Sequence, residues 1–430
     1  MKRFSGVFTV FLCLIFSFAA FSQAADSKLR EDKKQELAKQ PPVVVQTAIG
    51  ELKLPSPFST EVVANVSKVV PWPEGKMPKA PEGFKVTKFA GDLQHPRWTY
   101  IAPNNDIFVA ESNDSGESAN QITLLRDTNK DGKPDERHVF LKDLNQPFGM
   151  LVLGDYFYVA NVDALKRFPY KKGQNSIEVK GETIVSLPAG GYNHHWTRNI
   201  ITNKEGSKIY ITVGSSSNVG EYGMDLEERR ANILEVNPDG SGERVYASGI
   251  RNPVGIDWNP VTGELWAAVN ERDNLGNELV PDYITSVKEG AFYGWPYSYY
   301  GQIKDPRWYH APHEDMVQKA LVPDVPLASH SASLGLEFYE GDQFPEKYKN
   351  GAFVGQHGSW NRADLAGYKV VFVPFKDGKP QQPEDFLTGF IAESSGSEVY
   401  GRPVAVTTLP DGSLLVNDDD GNVIWRVSTE

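Results

Sequence analysis

Residues 249–270 read GIRNPVGIDWNPVTGELWAAVN, and this stretch decides the fold. A polar pair, Arg251-Asn252, stands before Pro253 and Gly255. An apolar run follows, then a turn, then a second run, Trp266-Ala267-Ala268-Val269, which ends on Asn270. Short β-branched and aromatic runs separated by Asn, Asp, Gly and Pro are the signature of antiparallel strands.

The same unit recurs along the chain. His95-Pro96-Arg97-Trp98 leads to Phe108-Val109-Ala110-Glu111, and Gln146-Pro147-Phe148-Gly149 leads to Tyr158-Val159-Ala160-Asn161. His194-His195-Trp196-Thr197-Arg198 leads to Thr212-Val213-Gly214. Ser331-Ala332-Ser333-Leu334-Gly335 leads to Phe353-Val354-Gly355-Gln356-His357, and Gly401-Arg402-Pro403-Val404 leads to Leu414-Leu415-Val416-Asn417-Asp418. Six units with room for four strands each predict an all-β, six-bladed β-propeller with four-stranded antiparallel blades. The units are too long for a β-helix, and no long helical periodicity competes.

The N-terminus reads as an address. Lys2 and Arg3 precede an apolar run from Val7 to Phe21, and Ser22-Gln23-Ala24 offers a cleavage site. The expected organisation is a signal peptide over 1–24, a flexible leader over 25–50 and the propeller over 51–430. The single cysteine, Cys13, falls in the signal, so the exported protein is expected to lack disulfides and to be periplasmic or secreted. The formal net charge of −12 argues against a nucleic-acid partner, and no further segment is apolar enough for membrane insertion.

In a propeller the position opening each inner strand faces one mouth of the central channel. Those positions are Arg97, Gln146, His194, Arg251 with Asn252, Ser333 and Arg402. Their guanidinium, amide and imidazole groups predict a polar, anionic ligand, because the guanidinium fork grips carboxylates through two oxygens.

Taken with Gly190-Gly191-Tyr192-Asn193-His194-His195-Trp196-Thr197-Arg198, Gly249-Ile250-Arg251-Asn252-Pro253, Tyr293-Gly294-Trp295-Pro296, His357-Gly358-Ser359-Trp360-Asn361-Arg362 and Gly401-Arg402-Pro403, the chain resembles the glucose/sorbosone dehydrogenase family. That family uses pyrroloquinoline quinone (PQQ) and calcium. The resemblance implies that His194 takes a hydroxyl proton from a sugar or related alcohol, that Arg251 polarises the quinone carbonyl, and that Gln146 lies near the reacting carbon. It further implies cofactor contacts from Asn252, His357, Arg402, Ser333, Asn193 and Arg97. The glucose dehydrogenase branch carries lysine at the position of His357 and aspartate at that of Asn193. A separate electron acceptor, a soluble cytochrome or a membrane quinone, is implied because the sequence has no Cys-x-x-Cys-His haem site.

The resemblance also implies a cofactor-side calcium at Asp273, Asn274 and Asp282. A second calcium loop is readable in the residues themselves. Asp127, Asn129, Asp131 and Asp135, with Gly132 at the sixth position, follow an EF-type spacing, although the same Asp-Gly is an ordinary hairpin turn. The aromatics from Tyr283 to Tyr300 suit either a sugar-stacking floor or blade packing. Asp418-Asp419-Asp420-Gly421 reads as a solvated turn. Two rival functions are a calcium-dependent lactonase, which needs converging carboxylates, and a glycan- or protein-recognition propeller without catalysis.

Overall fold

The strand runs fold as the repeat demands. The computed structural model describes residues 29–115, 117–392 and 396–430, and in these the strands form six four-stranded antiparallel sheets. Blade 1 comprises Pro96–Ile101, Ile107–Glu111, Gln121–Arg126 and Glu136–Leu141, in that order from the axis outward. Blade 2 runs from Met150–Leu153 to Glu182–Ser186, and blade 3 from Ile200–Thr202 to Arg244–Ser248. Blade 4 has Pro253–Trp258 innermost and Val325–Ser329 outermost, and blade 5 has Glu337–Phe338 and Glu384–Leu387 in those places.

Blade 6 takes its three inner strands, Pro403–Thr408, Leu414–Asp418 and Val423–Thr429, from the C-terminus. Its outermost strand, Phe84–Ala90, comes from the N-terminal side. Val427 pairs with Val86 and Thr429 with Phe84, which closes the ring.

Each blade is covered on both faces by its neighbours. Its second strands are therefore buried throughout, as in Ile107–Glu111 and Ile209–Val213, rather than alternating in and out. Between blades 1 and 2 the filling is aromatic: Phe108, Phe140 and Phe157 lie with ring centroids 4.6–5.1 Å apart. Near the axis the backbones come too close for side chains. A Cβ on Gly149 would lie 2.6 Å from the nitrogen of Ile200, and one on Gly255 would lie 2.4 Å from that of Leu336. This is the physical reason for glycine in the repeat.

Residues expected as a flexible leader are structured from residue 29 onward. A helix, Glu31–Ala38, precedes a hairpin of Val43–Thr47 and Gly50–Leu54. Leu37 and Leu54 are buried, and the nitrogen of Ala48 donates to the carbonyl of Asp324. The helix sequence EDKKQELA buries only Leu37, so no apolar periodicity announced it. The chain then crosses the ring as a strap to Lys68–Val69, which pairs in parallel with Glu398–Val399. The expected signal peptide lies outside the described residues. No helix among the described residues is long and apolar enough to cross a membrane.

Candidate functional site

Within a blade, the loop entering the inner strand and the loop leaving the second strand emerge at the same end, because the strands are antiparallel. Twelve loops can therefore meet at one mouth of the ring. A cavity of about 460 Å³ opens there, within the size range of small-molecule and cofactor sites. Entry loops supply Arg97, His194, His195, Asn252 and Arg402. Exit loops supply Asn113 with Asp114, Asn270 with Asp273, His357 with Trp360, and Asp419 with Asp420.

His194 stands on the connection from blade 2 to blade 3. Its backbone nitrogen donates to the carbonyl of Ser216, and its ring stacks on Tyr192 at 5.8 Å between centroids. Nδ1 lies 3.3 Å from the Tyr192 hydroxyl, which leaves Nε2 without a protein partner among the described residues. Burial, reinforced by the charge of Arg251, pushes the imidazole below its usual range, so it is neutral at pH 7. His195 turns the other way: its Nδ1 lies 3.0 Å from the carbonyl of Ser215, and its buried Nε2 has no partner among the described residues.

Opposite these histidines is a charged network. Asp419 accepts from Arg97 and lies 2.8 Å from His357 Nε2, while Arg402 donates to the carbonyl of His357 at 3.0 Å. Burial opposes the Asp419 anion, but His357 and Arg97 outweigh it and hold the carboxyl well below the usual carboxylate range. Arg97 lies 5.4 Å over the Trp196 ring, and its Nε is buried with no partner among the described residues. The supposed solvated turn is thus an internal anchor: Asp418 is fully buried, and Asp419 is only 2% exposed. His357, Asp419 and Asp420 lie close enough to hold a metal, but Arg97 and Arg402 already neutralise those carboxylates.

The remaining expected site residues do not line the cavity. Arg251 is wholly buried beneath it with all five N–H groups engaged. It donates to Asn218 O at 3.0 Å, Asn218 Oδ1 at 2.9 Å, Asn270 O at 3.1 Å, Glu271 O at 2.7 Å and Asp273 Oδ2 at 3.2 Å. It is a clamp joining blades 3 and 4 rather than a cation aimed at a ligand. Gln146 donates to the carbonyls of Asn113 and Asp114 at 2.7 and 3.1 Å, so it holds a loop that lines the cavity. Asn193 accepts from Arg230 at 2.6 Å. Ser333 is buried, its nitrogen donating to Asp282 and its hydroxyl paired with Ser331 at 3.0 Å.

The expected calcium ligands do not surround one point. Asp273 is shared between Arg251 and His330, whose Nδ1 is 3.2 Å away. Asp282 is ringed by donors from Glu271, Ser331, Ser333 and Asn270. Asn274 faces the N-terminal helix rather than the cavity. The Asp127–Asp135 loop sits at the far edge of blade 1. There Asp127 accepts from the nitrogens of Asp131 and Gly132, and Asp135 accepts from Thr128 and Asn129, as in a self-satisfied hairpin turn. Tyr283, Tyr293, Tyr299 and Tyr300 are buried in blade 4 and pack rather than floor the cavity.

Two buried carboxyls nearby are pushed up to about 7: Glu271, by burial against the pull of Arg251, and Asp418, by burial against its hydrogen bonds. Both bind a proton more tightly folded than unfolded. Their contribution is complete below the unfolded value near pH 4 and is lost as pH rises through about 7. Each lowers the unfolding free energy by up to about 1.4 kcal/mol per pH unit across that window. Urea melts between pH 4 and 8 should show the fall, and Asp418→Asn should remove Asp418's share of it while that of Glu271 remains.

A six-bladed ring with a polar, aromatic-walled cavity at one mouth defines a propeller protein built around a small-molecule site. Residues 78–290 and 310–430 match the TrAA12-like family, and the chain belongs to it. It is 29% identical to an uncharacterised protein of Borreliella burgdorferi, over 82% of this chain and 91% of that one. It is 24% identical to a pyrroloquinoline quinone-dependent pyranose dehydrogenase of Coprinopsis cinerea, over 80% of this chain but only 54% of the relative's length. The PQQ domain of pyranose dehydrogenase from Coprinopsis cinerea, solved in its holo form, shares the fold with a TM-score of 0.67. That match is at 21% identity and covers 83% of this chain and 98% of that one.

Proposed function

We propose that this chain is a quinoprotein dehydrogenase that oxidises a sugar or a related alcohol with PQQ. The observation that carries the reading is a neutral histidine with a free Nε2, His194, in one cavity with Arg97 and Arg402. A flat quinone bearing carboxylates suits that cavity. Trp196 and Trp360 offer planar walls, and the unpartnered atoms Arg97 Nε, Asn252 Oδ1 and His195 Nε2 are buried polar groups that a polar ligand would satisfy.

In this reading Arg97 and Arg402 hold the carboxylates and Asn252 the ring edge. When bound, the quinone supplies the acceptor for a hydride. His194 Nε2 takes the substrate hydroxyl proton, as a general base must sit within hydrogen-bond reach of it. Tyr192 fixes the imidazole through Nδ1. Calcium enters the proposal beside Asp114, the lining carboxylate for which no cation partner is found among the described residues, since Arg97, Arg402 and Arg251 already pair with Asp419, Asp420 and Asp273. The electrons leave to a separate cytochrome or quinone acceptor, and the protein acts outside the cytoplasm, as the N-terminal sequence suggests.

The test is dye reduction by purified protein over a panel of aldoses and alcohols. Activity should require added PQQ, and chelation with EDTA should weaken PQQ binding several-fold. No dye reduction together with no PQQ binding by absorbance would move the chain to a recognition propeller. The saturation of Arg251 is the one feature that favours this alternative.

A further inference from the structure

The family match leaves out residues 29–77 and 291–309, and in the structure these two segments meet. Leu54 of the N-terminal hairpin packs with Tyr299 and Tyr300 of the blade 4 insertion in one buried cluster. The insertion in turn supports the layer beneath the cavity. Trp308 Nε1 donates to the carbonyl of Val219 at 3.3 Å, and Arg307 donates to that of Glu221 at 3.1 Å. These carbonyls belong to the loop whose Asn218 accepts from Arg251.

From the hairpin the strap runs over the mouth and is tied down at every step. Phe58 N donates to Leu275 O at 2.7 Å, Asn361 Nδ2 donates to Val63 O at 3.0 Å, and Asn65 N donates to Trp360 O at 2.7 Å. The Asn65 amide also donates to the carbonyls of Ala363 and Gly396, at 2.8 and 3.0 Å. Trp72 anchors the far end among Phe390, Tyr400 and Trp425, at 4.9–5.5 Å between centroids. Between the Asn65 and Trp72 anchors lies Val66, 52% exposed, its side chain on the cavity wall beside Trp360.

Blade 5, which carries Trp360, stands three places round the ring from blade 2, whose exit connection carries Tyr192 and His194. The strap therefore adds an apolar wall facing the base. A pyranose has an apolar C–H face and hydroxyl-bearing edges, and it meets such a mouth with complementary chemistry: hydroxyls toward His194 and Asp114, C–H face toward Val66 and Trp360. Asp114 is exposed, and no partner for its carboxylate is found among the described residues.

We infer that the N-terminal strap is a specificity wall of the site, with Val66 setting which pyranoses enter. This rests on the dehydrogenase reading for the substrate class but not for its test. Direct titration of D-glucose and other aldopyranoses, followed by calorimetry in the protein alone and in the protein with reduced PQQ, which cannot accept a hydride, reads binding without turnover. Val66→Trp should weaken the preferred pyranose about tenfold while the PQQ dissociation constant stays within twofold. Val66→Gly should narrow the preference between a monosaccharide and its disaccharide, such as glucose and maltose. Sugar affinity unchanged within twofold in both variants would overturn the wall, as would equal losses of sugar and PQQ. Wild-type protein that binds sugar in a Val66-dependent way but reduces no dye would sink the dehydrogenase reading and leave the wall standing. Wild-type protein that binds no pyranose would overturn the wall.

Discussion

His194→Ala should lower kcat for the preferred sugar by a factor of about 10² to 10⁴, the usual contribution of a positioned general base, with the melting curve nearly unchanged. His194 is only partly buried, and its ring makes one long hydrogen bond, to Tyr192, beside ring contacts with Tyr192 and His195, so its loss strips little from the fold. The burial that disfavours its charged form also predicts the pH profile. The acid limb of kcat/KM should lie below the 6.5 of an ordinary imidazole, because the working base is the neutral ring. Tyr192→Phe should shift that limb and leave cofactor affinity alone. A loss under tenfold in His194→Ala would pass the base to another group, and His195, whose Nε2 is unpartnered, would be the next candidate.

Arg251→Ala should cost about 3–5 kcal/mol of stability, the range for breaking one partner out of a buried ion pair. The resemblance makes Arg251 a catalytic cation, and such a role predicts a fall in kcat in a protein of normal stability. The geometry predicts instead that removal strands two carbonyls of the Asn270–Glu271 loop, both oxygens of Asn218 and one oxygen of Asp273 around the space left by a fully buried side chain. Denaturant midpoints separate the two. Arg251→Lys, which keeps the charge but cannot serve five acceptors, should recover only part of the loss.

The ring was legible because its repeat is a packing necessity: glycine where inner backbones touch, and small residues where second strands end. The entry-loop positions were legible for the same reason, and Arg97, His194, Asn252 and Arg402 all reach the cavity. Register alone could not say which entry-loop residue turns upward. Arg251 and Asn252 are adjacent, yet one is a buried clamp and the other lines the cavity. Asp114, Asn270, Trp360 and Asp419 follow the ends of their second strands by three, one, four and one residues, and that uneven spacing hid the other half of the wall. His330 gave no cue either. Its Nε2 rests 2.9 Å from the carbonyl of Gly276, a partner that only the fold brings near. The strap was illegible for a further reason: it forms no regular element over the mouth, and anchors such as the Ala363 carbonyl and the Asn361 side chain lie in a loop about 300 residues away.

The closure of blade 6 has a consequence for how the molecule comes into being. Its register joins Ala90 to Ile424, nearly the two ends of the propeller ring. The last blade therefore cannot assemble until the final residues have left the ribosome, and contacts this distant in sequence form slowly. A nascent chain lacking its terminal strand holds an open arc with a raw sheet edge at each end, which is the state a chaperone must guard.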